Sequence, residues 1–451
     1  MKTGTVGIKE IVSGYQYRVK PNTYLVEGKR IFAKLKARGV LNSTVADYTD
    51  TVFRPGIFKR IFVKSEQFGR PYLTAQAVLC EDPRKMAKPL SIKHTANLDY
   101  MAIHKNDILV SCAGTIGNVR LIGGFLNNYI GSQDIIRAVS KDIYGFLYAY
   151  LSTSHVYKYL QAQIYGSVVP RIEPENVRDI PVPSFSPDII ERVNSLIIKS
   201  QDLRDSAIAV FDTAVNKFET LLCKSNYRAC CRTQVTSSKM VSGRFTRFDA
   251  QYQIGTNELS KEIHGTDTVK VGKVAKNIYV GNRGKRNYVK HGIPFLSSSD
   301  MILFNPIKFS TPISVKTPNL EGLLVHTDDI LISRSGTVGN TVIVSETLNG
   351  KAVSEHALRL VIDPDKMDPK YVFCYLNTSH GKRVLESLAY GSVIITLGEE
   401  SVANIDLPLL PQEAKDEISA KIGQYSTLLD EATRLENEAV SLVETEIDKW
   451  N

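Results

Sequence analysis

The sequence predicts an α+β chain of two tandem, pseudo-symmetric domains, each followed by a long helix, the two helices pairing as an antiparallel coiled coil. Three observations predict it. Residues 106–122 and 328–344 repeat one another at an offset of 222 residues. Within each copy, short apolar runs are punctuated by Gly and Asn turns, the pattern of short strands. Two long stretches without proline, 188–223 and 412–448, then carry apolar residues at alternating steps of three and four. The predicted boundaries are a first domain over 1–186, a central helix over 187–225, a second domain over 226–410 and a C-terminal helix over 411–451.

The repeat comes first, because self-similarity at a fixed period decides the architecture. Asn106-Asp107-Ile108-Leu109-Val110-Ser111-Cys112-Ala113-Gly114-Thr115-Ile116-Gly117-Asn118 opens one copy and Asp328-Asp329-Ile330-Leu331-Ile332-Ser333-Arg334-Ser335-Gly336-Thr337-Val338-Gly339-Asn340 the other. Over the full seventeen positions, eight are identical. Further landmarks follow in the same order. Lys59-Arg60-Ile61-Phe62-Val63 matches Lys285-Arg286-Asn287-Tyr288-Val289, and Gly69-Arg70-Pro71-Tyr72-Leu73 matches Gly292-Ile293-Pro294-Phe295-Leu296. Downstream, Tyr150 to His155 matches Tyr375 to His380, Tyr165 to Val168 matches Tyr390 to Val393, and Ile180 to Pro183 falls opposite Ile405 to Pro408.

Each copy therefore contains strands, then a helical stretch over about 143–164 or 368–389, then a Pro-punctuated strand and a long helix. In the first long helix Ile190, Val193, Ile197, Ala207, Phe211, Ala214, Phe218 and Leu221 form a seam. Ile418, Ile422, Tyr425, Leu429, Ala432, Ala439 and Val443 form its counterpart. Such seams belong to helices that pair. About 36 residues at 1.5 Å each make a helix of roughly 54 Å. Antiparallel pairing would place the two domains at opposite ends of a rod; the plainer alternative packs each helix on its own domain.

Composition sets the remaining bounds. Hydrophobic residues make up 43% and charged residues 23% of 451, ordinary for a globular chain, and no apolar run reaches the length of a membrane helix. The net charge of +9 favours a polyanionic partner. The six cysteines show no CxxC pairing, so neither a zinc site nor a disulfide framework is expected, and the chain is expected to be cytoplasmic. No Asn/Asp-Pro-Pro-aromatic loop, dinucleotide-binding glycine loop, nucleophile elbow or His/Cys cluster is found. No catalytic residue, metal ligand or cofactor of its own is therefore assigned.

The segment Asp329 to Asn340 and the domain-edge signature Leu407-Pro408-Leu409-Leu410-Pro411-Gln412-Glu413, taken with the duplication and the long helices, resemble the specificity subunits of type I restriction–modification systems. The resemblance covers essentially the whole chain. The first copy departs from it with Cys112-Ala113 in place of Arg334-Ser335, and Pro183-Ser184-Phe185-Ser186-Pro187 in place of Pro408-Leu409-Leu410-Pro411. The resemblance implies that each domain is a target-recognition domain reading half of a bipartite site in double-stranded DNA. It implies helices that act as ruler and dock for two adenine methyltransferase subunits, which bind S-adenosylmethionine themselves. A restriction/translocase subunit is an optional further partner. Two rivals stand beside this reading: the specificity subunit of a type IIB-like enzyme with a fused nuclease–methyltransferase partner, and a scaffold that binds proteins rather than DNA.

Side chains that reach base edges specify sequence, while Lys and Arg on phosphates give affinity and register. On those grounds the DNA-binding candidates in copy one are Arg54, Lys59, Arg60 and Arg70, with Ser167 and Arg171 in the Tyr-Gly-Ser loop. In copy two they are Tyr279, Asn282, Arg283, Lys285, Arg286 and Arg334. The glycines of the repeated Gly-Thr-x-Gly-Asn segment are expected to hold a tight turn, with Thr115 and Thr337 bonding backbone. His155 and His380 are expected to be hydrogen-bonded structural residues.

Overall fold

The computed structural model describes residues 27–222 and 259–450, apart from 167, 336 and 392–394, together with residues 8 and 252. It is a mixed α+β fold that divides into two compact units, Met1–Asp205 with Glu431–Asn451, and Ser206–Asp430. The two long helices, Pro187–Leu222 and Gln412–Lys449, each contribute to both units.

The first unit contains β1 (Leu41–Thr44), β2 (Thr49–Phe53), β3 (Gly69–Leu73), β4 (Lys88–Ser91), β5 (Ile108–Ser111), β6 (Val119–Leu121), β7 (Ile130–Gly131), β8 (Ile135–Ser140) and β9 (Pro181–Pro183). They form a four-stranded sheet in the order β2-β8-β5-β6, a three-stranded sheet β4-β3-β7, and the pair β1-β9. The four-stranded sheet is antiparallel throughout, and in the smaller one β3 pairs antiparallel with β4 and parallel with β7.

The second unit contains β10 (Thr268–Lys270), β11 (Ala275–Val280), β12 (Tyr288–Leu296), β13 (Thr311–Ile313), β14 (Ile330–Ser333), β15 (Thr341–Ile343), β16 (Ala352–Val353), β17 (Ala357–Ile362) and β18 (Asp406–Pro408). Its sheets are β11-β17-β14-β15, β13-β12-β16 and β10-β18. Each strand of the first unit thus has its counterpart, in the same order and sense, in the second.

The helical stretch of each copy is two helices, not one: Tyr144–Leu151 then Ser154–Gln163, and Pro369–Asn377 then Ser379–Leu388. A threonine makes the break. The hydroxyls of Thr153 and Thr378 accept from the amides of Val156 and Gly381, and they donate to the carbonyls of Tyr150 and Tyr375. An oxygen-bearing side chain that satisfies an orphan amide starts a new helix at that residue.

The seam residues of the long helices are core residues of the two units. Val193, Ile197, Ala439, Val443 and Ile447 join the first core, and Phe211, Ala214, Phe218, Ile418 and Ile422 join the second. In the first unit Arg192 faces Glu438 at 3.3 Å, and the Ser200 hydroxyl donates to the Ala432 carbonyl at 2.6 Å. In the second, Phe211 packs on Tyr425 with ring centroids 5.0 Å apart, and Lys217 pairs with Glu417. Within each unit, partners on the second helix descend in number as residues on the first ascend.

Acidic side chains fasten the long helices to the sheets at matched positions. Asp205 accepts from the Gly124 amide at 2.8 Å, and Asp430 accepts from the Glu346 and Thr347 amides at 3.1 Å and from the Ser345 hydroxyl at 2.6 Å. Glu444 accepts from the Ser154 amide and Glu219 from the Ser379 amide, at 2.6 and 2.5 Å. A carboxylate at a helix N-terminus also meets the positive end of the helix dipole. Among the described residues no helix is long and apolar enough to cross a membrane.

Candidate nucleic-acid interface

The repeated Gly-Thr-x-Gly-Asn segment is a turn between two strands, as its glycines suggested. Gly114, Gly117 and Gly339 have φ of 72°, 88° and 92°, a region closed to most side chains. The turn is fastened by the preceding strand serine rather than by the threonine hydroxyls. Ser333 donates to the Thr337 carbonyl at 2.5 Å and accepts from the Asn340 amide at 3.0 Å. Ser111 does the same with Thr115 and Asn118. The threonines contribute carbonyls, because the serine at the strand end lies inside the turn.

Several of the basic candidates are occupied within the fold. Arg54 is half-buried and pairs with Glu173 at 2.9 Å, and the Tyr165 hydroxyl donates to the same carboxylate. Burial alone would lower the Arg54 pKa, but the hydrogen bond and charge of Glu173 raise it above its ordinary value. Burial and the Glu173 hydrogen bond push Tyr165 up to about 12. Arg70 pairs with Asp99 at 2.8 Å and donates to the Asn128 carbonyl at 3.0 Å. The backbone of Arg171 closes its loop against Tyr165, and its side chain lies 3.9 Å from Asp134. Ser167 lies outside the described residues.

Arg286 is the most deeply placed candidate of the second unit. It pairs with Glu355 at 3.3 Å, donates to the Asn282 carbonyl at 2.6 Å and lies 5.4 Å from the Phe295 ring centroid. It fastens the loop that carries the other candidates, since a planar guanidinium can stack and hydrogen-bond at once. Asn282 donates from its amide to the Asn319 carbonyl at 3.3 Å, and half-buried Tyr279 lies beneath Arg359. Burial raises the Tyr279 pKa. Arg334 is half-buried at the end of β14, with its Nε enclosed and without a hydrogen-bond partner.

Lys59, Arg60, Arg283 and Lys285 are exposed. Arg60 makes one long hydrogen bond, 3.4 Å to the Tyr72 hydroxyl. The segment after Lys59 makes a single bridge beside β4, Phe62 with Leu90. The Val63 amide donates to the Pro89 carbonyl at 2.9 Å, and the Ser91 amide to the Ile61 carbonyl at 2.8 Å. In the second unit the Ser314 amide donates to the Asn287 carbonyl at 2.8 Å, and Tyr288 stands opposite Ile313. Each unit thus presents exposed cations in the chain leading into a segment that hydrogen-bonds beside its smaller sheet, the chemistry that holds phosphates.

Residues 67–184 match the type I restriction modification DNA specificity domain family. The matched stretch of this specificity domain runs from the start of β3 to the end of β9, and the second unit repeats its sheets strand for strand. No curated protein matches the chain in sequence. Among solved structures, the type I restriction-modification S subunit from M. genitalium is 15% identical, with 92% of this chain and 97% of that one covered and a TM-score of 0.32. The HsdS subunit from Thermoanaerobacter tengcongensis is 16% identical, with 90% and 95% covered and a TM-score of 0.29.

Two buried arginines, one in each unit, escaped the sequence reading. Arg137 on β8 is 1% exposed and Arg359 on β17 is fully buried. Arg137 donates to the carbonyls of Tyr100, Met101 and Ala102, at the end of the helical turn Leu98–Met101. Arg359 donates to those of Leu323 and Val353, and to Ala357 at 3.0 Å. Phe53 and Tyr279 lie under the two guanidiniums at 5.5 and 5.7 Å. Burial pulls Arg137 down to about 10 and also lowers Arg359. Each arginine satisfies carbonyls that would otherwise be orphaned, and so ties the larger sheet to the part carrying the exposed cations. Their signal was an arginine interrupting two apolar strand runs at the same offset of 222.

Proposed function

We propose that the chain is a non-catalytic subunit that reads a bipartite, gapped site in double-stranded DNA. It directs partner adenine methyltransferase subunits, which bind S-adenosylmethionine, and restriction subunits where present. The observation that carries this reading is the doubling of the DNA specificity domain fold: the unit containing the matched residues recurs strand for strand in one chain. Two readers in one chain call for two half-sites. The long helices are proposed to pair as an antiparallel coiled coil that sets the spacing between the domains over 1–186 and 226–410. The descending order of facing residues within each unit supports that pairing. The base-reading and phosphate-holding residues are proposed to lie in the exposed segments with Lys59, Arg60, Arg283 and Lys285. Asn282 and Arg334 are proposed to join them.

Methylation sequencing of host DNA with this gene intact and deleted tests the proposal. Loss of adenine methylation at one gapped motif is the expected result. Methylation unchanged at every gapped motif, with the methyltransferase still expressed, would refute it.

A further inference from the structure

The two units share a surface that core packing does not require. Lys59-Arg60-Ile61-Phe62-Val63-Lys64 lies opposite Lys285-Arg286-Asn287-Tyr288-Val289-Lys290, and Pro89-Leu90-Ser91-Ile92-Lys93 lies opposite Pro312-Ile313-Ser314-Val315-Lys316. The two segments of each unit are hydrogen-bonded neighbours through matched groups, Ser91 to Ile61 and Ser314 to Asn287. Most of the matched side chains face outward. Phe62 and Tyr288 are 44% and 58% exposed, Ile92 and Val315 are 48% and 66%, and the lysines at 59, 64, 93, 285, 290 and 316 are all exposed.

Buried positions repeat because a fold must be filled. Exposed lysines, aromatics and β-branched residues have no such constraint, so their recurrence at matched register points to a shared ligand. The charge selects its class: none of these lysines forms an ion pair with a described residue, and in each unit three of them lie on the two segments that carry one exposed ring. Lysines around an apolar side chain fit a sugar–phosphate backbone, whose phosphates take the cations while the ring and aliphatic group cover sugar.

We propose that these paired strands form a duplicated, sequence-independent grip on the DNA backbone, and that half-site specificity comes from neighbouring positions at which the copies differ. This rests on the DNA-reading function proposed above. Identical grips cannot tell two different half-sites apart, whereas they can hold both domains in the same register on the duplex.

The test substitutes Lys64, Lys93, Lys290 and Lys316 with alanine together in the full-length chain. Fluorescence anisotropy with a random-sequence duplex then gives affinity across a salt series. Each lost phosphate contact should flatten the log–log salt slope by about 0.9, which is roughly 3.5-fold less affinity lost between 50 and 200 mM salt. The methylated motif in cells should keep its sequence. A wild-type chain without salt-dependent DNA binding would defeat the underlying function. Wild-type salt dependence that survives all four substitutions would overturn the grip alone, and unchanged DNA binding with lost methyltransferase co-purification would assign the surface to protein docking. A changed methylation motif would overturn its sequence independence.

Discussion

Replacing Arg204 with Met should unfold the first unit at a markedly lower temperature, because it strips a buried cation from between two carboxylates. Arg204 and Glu436 each keep only 3% of their side-chain surface exposed and stand 2.9 Å apart, with Glu81 at 3.1 Å on the other side. Thr433 accepts a further bond from Arg204, and the Tyr148 hydroxyl donates to Glu436 at 2.8 Å. Removing one member of a buried ion pair costs about 3–5 kcal/mol, since the remaining charge is left desolvated. For a unit of 150–250 residues each kcal/mol moves Tm by about 2–4 °C, so the expected fall is roughly 6–20 °C. Calorimetry on the full chain reads it. The triple variant Arg204→Met, Glu81→Gln, Glu436→Gln should recover much of the loss, because it removes the stranded charges. A loss below about 1 kcal/mol, as for an exposed pair, would refute the argument. The pH dependence carries a sign as well. Burial raises the Glu81 pKa despite the nearby Arg204 and Arg120. Its contribution is therefore complete below the unfolded carboxylate value of about 4.3 and is lost as pH climbs through the folded value.

Three further outcomes follow from the second unit. Asp430→Ala should destabilise it by about 2–3 kcal/mol in urea titration, because one carboxylate serves two amides and a hydroxyl at the Ser345–Thr347 turn. Burial lowers the pKa of His380, whose Nε2 donates to the Leu259 carbonyl at 3.1 Å. Stability should therefore be full above the unfolded histidine value of about 6.5 and decline as pH falls below it, a dependence that His380→Gln should weaken. Gly339→Ala should cost about 1–2 kcal/mol, since φ is 92° and the new methyl would lie 3.4 Å from Leu385. Gly350→Ala, at φ 68° with open space around it, should cost less when both are compared by thermal melting.

The sequence exposed the duplication because matched strands and turns keep recognisable apolar and glycine patterns. It exposed the long helices because apolar residues at steps of three and four persist through two long stretches without proline. The break at Thr153 and Thr378 was hidden by periodicity: two short helices on one core show the same apolar spacing as one longer helix, and only the cap reveals the stop. The turn at Gly339 was legible in its glycines but misassigned in its hydrogen bonds, since Ser333 and Thr337 are equally able to serve it and only geometry chooses. The charges of Arg70 and Arg286 were legible but their partners were not, since Asp99 and Glu355 come to them from 29 and 69 residues away.

Comparison of the copies separates residues that hold a loop from residues free to touch a ligand. The loop at Tyr165 is anchored in the first unit by Arg54 on Glu173, with the Tyr165 hydroxyl on the same carboxylate. In the second unit the matching loop closes by the same backbone pairing, Tyr390 with Thr396, but Val280 stands where Arg54 was and Thr396 where Arg171 was. One loop geometry is thus held with an ion pair in one copy and without either arginine in the other. If Arg54 and Arg171 served mainly to meet DNA, exchanging them for Val and Thr would remove cations from an interface. If they serve mainly to close the loop, the exchange substitutes one anchor for another. Their contacts with Glu173 and Asp134 favour anchoring. The matched lysines of the paired segments show the opposite pattern: they are retained in both copies and form no ion pair with a described residue, as expected when the partner is supplied by another molecule.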